Sequence, residues 1–185
     1  MNKTAFLVSA TLVLTAVSPV AAETLPAPRP MEEMKGGCDA YAWDLAREFS
    51  LWAQTPQAAA ASPGANGAPS VAPNTRLQIA LHPHASVTFA VTPEKDRGGA
   101  DKFSGLIAFT PPADGLYRIS ASSGLWIDAV QEGAAVESAG FEMQTGCETI
   151  FKSVAFPLKG GTPAIIQLNG SKTPDAGLLI TQWPD

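Results

Sequence analysis

Few side chains in this sequence are able to carry chemistry, and they are unevenly placed. Both histidines, His82 and His84, fall within one short stretch, LHPHAS. On a strand, residues two apart project to the same side, so the pair could offer two ring nitrogens to one metal ion. That geometry would suit a periplasmic metal-binding protein. Pro83 between them marks a strand end, however, and no acid follows before Glu94. Two nitrogens alone do not complete a metal shell, so the plainer reading is a pair of surface-loop histidines.

Nucleophilic hydrolysis needs a Ser or Cys, a base and an orienting acid. There is no Gly-x-Ser-x-Gly motif, and any histidine base would have to come from the LHPHAS stretch. Paired carboxylates are the remaining catalytic option, as in a carbohydrate-active hydrolase. The candidate acids include Asp128 (in LWIDAV) and Glu142. A solvent-facing or turn-capping role for Asp128 is the simpler expectation. Residues 92–103 (TPEKDRGGADKF) place Glu94, Asp96 and Asp101 among Lys95, Arg97 and Lys102. The charges nearly cancel and the spacing is not that of an EF-hand, so a mobile hairpin loop is expected rather than a calcium site. No cofactor is expected.

Aromatic residues offer a binding rather than a catalytic signal. Trp126 with Asp128, together with Trp43 and Trp183, are the candidates for stacking and hydrogen-bonding a ligand such as a glycan. Against this stands the reading in which Trp52 and Trp126 fill the core and Trp43 and Trp183 shield its edges.

The remaining chemistry is that of Cys38 and Cys147, the two cysteines of the 185-residue chain. The first 22 residues have a positive start at Lys3, an apolar run from Ala5 to Val17, a break at Ser18-Pro19 and small residues up to Ala22. This is the pattern of a secretory signal peptide, cleaved before Glu23. The apolar run is shorter than the roughly 20 residues that span a bilayer as a helix. Removing residues 1–22 leaves 163 residues with a formal charge of −6. Export, to the periplasm or the medium, favours a structural disulfide between Cys38 and Cys147. Charged residues make up 16% of the chain and no basic patch is visible, which excludes a nucleic-acid binder. A hydrophobic content of 45% excludes a fully disordered chain.

The elements that must position these residues follow from periodicity. Residues 23–53 read as a proline-bearing arm followed by a helix over about 39–54. In that helix Tyr41, Leu45, Phe49 and Trp52 form one apolar stripe. Residues 54–75 carry four prolines and seven alanines without a charge, the composition of a linker or long surface loop. From Arg76 the period becomes two. Eight strand candidates follow, over 77–81, 87–91, 105–110, 116–121, 125–130, 149–158, 164–169 and 177–183, separated by Gly, Pro, Asn and Asp turns. The expectation is a mainly β protein. Residues 76–185 would form an antiparallel, jelly-roll-like β-sandwich of about eight strands, with one N-terminal helix docked on it and stapled by the disulfide.

The stretches FTPPADGLYRISASSGLWIDAVQEG and FPLKGGTPAIIQLNGSKTPDAGLLITQW carry a recognisable rhythm through Gly115, Tyr117, Ile119, Trp126, Asp128, Ile166 and Leu168. This resembles secreted bacterial β-sandwich modules of the pre-peptidase C-terminal and jelly-roll type, over somewhat less than half the chain. The resemblance implies a non-catalytic module that binds glycans or proteins or assists a neighbour, with no catalytic residues to carry over. The function expected is therefore an exported binding or envelope-accessory protein, not an enzyme, with a glycan or another envelope protein as partner. It would have no integral membrane span after cleavage. A paired-carboxylate hydrolase and a periplasmic metal-binding protein are the alternatives.

Overall fold

The two-residue period of the second half becomes a ladder of strands because β-branched and aromatic residues alternate there with small or polar ones. In the computed structural model, Leu25, Ala27 and residues 29–183 are described. The expected signal peptide and its cleavage point lie outside them. The strands run β1 (Gln57–Ala60), β2 (Ser70–Val71), β3 (Leu77–Ala80), β4 (His82–Pro83), β5 (Phe103–Phe109) and β6 (Gly115–Ala121). They continue as β7 (Trp126–Gln131), β8 (Ala134–Val136), β9 (Gly140–Met143), β10 (Lys152–Leu158), β11 (Ala164–Ser171) and β12 (Asp175–Gln182). One helix, α1 (Ala46–Trp52), precedes them.

Two sheets result. The first has the order β1-β3-β12-β6-β10-β9, and the second β2-β5-β11-β7-β8 with β4 also paired to β5. Most pairings are antiparallel, but β1 runs parallel to β3 and β2 parallel to β5. The sheets are therefore mixed, not purely antiparallel. Both parallel strands come from the alanine- and proline-rich segment expected as a linker. Its small side chains suit short edge strands, where prolines at the strand ends remove no ladder hydrogen bond.

One expected strand is absent. Residues 87–91 join no ladder beyond a single bridge between Thr88 and Gly64. The Gln167 side chain takes the place of a neighbouring strand, accepting from the Val91 N–H at 3.1 Å and donating to the Val91 carbonyl at 3.3 Å.

The two sheets share one apolar cluster, including Ile119, Phe156 and Leu178 from the first and Ile107, Ile127 and Ile166 from the second. Phe109 and Tyr117 meet edge-to-face across it, with ring centroids 5.4 Å apart. A second cluster lies on the other face of the first sheet, where Trp43, Leu45 and Trp52 pack with Ile150, Leu179 and Trp183. Tyr41 and Phe49 join it partly buried, so the expected stripe does dock on the sheet.

The helix carrying that stripe is shorter than expected. Residues 38–40 form one 3-10 turn, the chain then extends, and α1 begins only at Ala46. The Glu142 carboxylate accepts from the backbone N–H groups of Ala42 at 2.6 Å and Trp43 at 2.9 Å. Asp44 Oδ1 then receives the Ala46 N–H at 2.9 Å. A helix through residues 42–43 would aim these amides along its axis at the carbonyls of residues 38 and 39, away from the buried carboxylate. Beneath α1 the Arg118 Nε lies 3.1 Å from Glu48 Oε1, which also accepts from Thr181 Oγ1 at 2.5 Å. Cys38 and Cys147 form the expected disulfide, linking the arm to the turn that precedes β10.

Candidate functional site

Strand β8 pairs with β7 only through Ala129, Val130 and Gln131. Beyond that point the Trp126–Asp128 segment of β7 forms an open edge. Opposite it, β9 and β10 close the edge of the first sheet. Between these edges lies a cavity of about 400 Å³. Ile127, Val136, Phe141, Val154 and Phe156 supply its apolar wall, and Glu94, Lys95, Asp128, Glu137 and Lys152 its charged groups.

The site is built outward from Trp126. Its indole N–H donates to Asp128 Oδ1 at 2.8 Å, which the same-side placement of residues two apart on a strand allows. Asp128 is 6% exposed, and its second oxygen makes no hydrogen bond of full geometry among the described residues. Burial raises the Asp128 pKa above the ordinary carboxylate value. The Trp126 indole, the Glu94 backbone and the Gln167 amide pull it partly back.

Lys152 reaches the same indole from β10. Its side chain is 8% exposed, its Nζ lies 4.8 Å from the Trp126 ring centroid, and it donates to the Leu125 carbonyl at 3.4 Å. Burial, reinforced by the charge of Arg97, pushes its pKa down to about 8, while Asp128 acts in the opposite direction. Lys95 Nζ stands 4.7 Å and Arg97 Cζ 5.7 Å from the ring of Trp126. Three cationic groups thus converge on one aromatic ring.

The loop that delivers Lys95 and Arg97 was expected to be a mobile hairpin. Instead it is tied down against β11. Asn169 Nδ2 donates to the Lys95 carbonyl at 2.9 Å. Gly170, at φ 81° beside a register shift in β11, allows the approach, since a Cβ there would lie 2.4 Å from the Arg97 Cβ.

The other residues singled out from the sequence lie elsewhere. Trp43 and Trp183 are buried against each other in the second cluster, edge-to-face at 5.0 Å, and present no open ring for stacking. His82 Nε2 is 2.9 Å from the Ala61 carbonyl, and His84 Nδ1 is 2.9 Å from Ser104 Oγ. Among the described residues no group of three or more His, Cys, Asp or Glu side chains could hold a metal ion. Glu142 is occupied with the N-terminal arm: besides the two backbone amides, it accepts from Arg29 Nη1 at 3.0 Å.

Trp126 and Asp128 are brought together; Lys152, Lys95, Arg97 and Phe141 were not anticipated from the sequence. The available signal was Lys152, a single cation inside the otherwise apolar and small-residue strand KSVAFPL.

No protein-family model matches the chain, and no curated protein matches it.

Chemically, the cavity combines a buried carboxyl at Asp128, a buried amine at Lys152 and an apolar wall. Such a combination orients and desolvates a small molecule.

Proposed function

We propose that the protein is an exported, non-catalytic binding module whose ligand site is the cavity beside Trp126. The observation that carries this reading is the convergence of two buried, oppositely charged side chains, Asp128 and Lys152, on one indole at the mouth of an apolar cavity. Export is supported by the signal-like N-terminus and by the disulfide, which suits an oxidising compartment. The lateral position of the site, between the β7/β8 and β9/β10 edges, suits a β-sandwich module that captures a ligand without reshaping its core.

A paired-carboxylate hydrolase is the second reading, favoured by the placement of Asp128, Glu94 and Glu137 around the same cavity. Ligand-observed NMR of the exported protein with a library of oligosaccharides and small metabolites separates the two. Binding that disappears in Trp126→Ala, with unchanged thermal stability and no turnover, supports the module. Turnover of a glycoside that Asp128→Asn abolishes replaces it with the hydrolase. A library without a single Trp126-dependent binder defeats the module reading.

A further inference from the structure

We infer that the cavity beside Trp126 takes a small amphipathic monocarboxylate, its acid group seated on Lys152 and its apolar body against Phe141, Val154 and Phe156. This rests on the binding-module reading. Lys152 forms no ion pair among the described residues, and its hydrogen bond goes to a neutral carbonyl. A buried ammonium without an ion-pair partner carries a desolvation cost that a bound anion offsets.

Lys95 and Arg97, gathered at the same ring, add to the field that draws an anion in. Asp128 and Glu94 offset the Lys152 charge through space, but neither forms an ion pair with it among the described residues.

The lining also limits the ligand's charge. Glu94, Asp128 and Glu137 share the cavity wall with Lys95 and Lys152. A dianion such as a phosphate monoester meets more repulsion from these acids than a single carboxylate does. The body of the ligand follows from the apolar wall and from the cavity's volume of about 400 Å³, near the lower end of small-molecule sites.

Calorimetric titration with 3-phenylpropanoate tests the assignment, alongside its amide, 3-phenylpropyl phosphate and 3-phenylpropylamine. The carboxylate is expected to bind saturably and at least tenfold more tightly than the other three. Lys152→Met is expected to lower its affinity tenfold or more while remaining folded. The double variant Lys95→Gln, Arg97→Gln is expected to lower it a few-fold, and His84→Ala, outside the cavity, to leave it unchanged.

Equal affinity for carboxylate and amide, preference for the amine or the phosphate, or full affinity in Lys152→Met each overturns the inference. Absence of carboxylate binding does so too. If other compounds still bind in a Trp126-dependent way, the module reading survives that result; if nothing binds, both fall together.

Discussion

Lys152 is the residue at which burial and function oppose each other most directly. Its pKa of about 8, against an ordinary 10.5, means that the folded protein binds this proton more weakly than the unfolded chain does. Below about pH 8 both states hold the proton and the burial penalty is present in full. As pH rises from about 8 to 10.5, the folded state releases the proton first and stability increases through that window. The shift corresponds to a penalty on the order of 3 kcal/mol at neutral pH. Lys152→Met should therefore be more stable than the parent at pH 7, with the difference shrinking towards pH 10. Denaturant unfolding of both proteins at pH 7 and pH 10 measures this, and a pH-independent difference sinks it. Taking the difference is necessary because Tyr41 acts with the opposite sign: its buried hydroxyl, donating to the Ile150 carbonyl at 2.7 Å, has a raised pKa. That contribution to stability is lost as the pH climbs past the ordinary tyrosine range. Trp126 and Asp128 were visible as a pair because two-residue spacing on a strand is a local property. Lys152 was not, since a lysine on a strand reads as solvated until the opposing sheet is known to cover it.

At the level of elements, the N-terminal arm shows how a tertiary contact overrides a helical period. Tyr41, Leu45, Phe49 and Trp52 have helical spacing, and all four reach the second apolar cluster. Only the last two lie within α1. The interrupting partner, Glu142, stands about a hundred residues away in sequence, and nothing local announces that its carboxylate collects the Ala42 and Trp43 amides. Docking of the arm nevertheless depends on the apolar stripe. Leu45, 2% exposed, sits at its centre. Leu45→Asp should cost about 3–5 kcal/mol, through lost burial and a buried charge. Thermal unfolding that matched the parent would count against docking. The short edge strands β1 and β2 were hidden for a related reason. Alanine-rich segments with several prolines have little strand preference of their own, and these two are strands because β3 and β5 offer them free edges.

For the whole molecule, the Cys38–Cys147 bridge spans 109 residues and ties the arm to the sheet it covers. Closing a loop of that size in the unfolded chain corresponds to about 4.7 kcal/mol in the chain-entropy account. Reduction should lower the stability of the protein by about 3–5 kcal/mol, read as a shift of the denaturation midpoint with and without reductant. Thiol titration of the denatured, unreduced protein should find no free thiol, and two free thiols would refute the bridge. No helix among the described residues is long and apolar enough to cross a membrane.

What the sequence determined by itself was the mainly β character, seven of the eight expected strands, the disulfide and the stripe that docks the arm. Each of these is written in short-range periodicity or in the scarcity of cysteine. Only the tertiary structure decided that the sheets are mixed, that the Ala/Pro segment supplies edge strands and that residues 87–91 form no strand, with Val91 bonded to the Gln167 side chain instead. It also decided that Trp126 and Asp128 share a cavity with Lys152, while Trp43 and Trp183 pair off in a second core. The physical reason is that burial and electrostatic environment belong to the meeting of distant segments. A residue's type shows what it could do, and its neighbours across the fold set whether it is charged, paired or exposed.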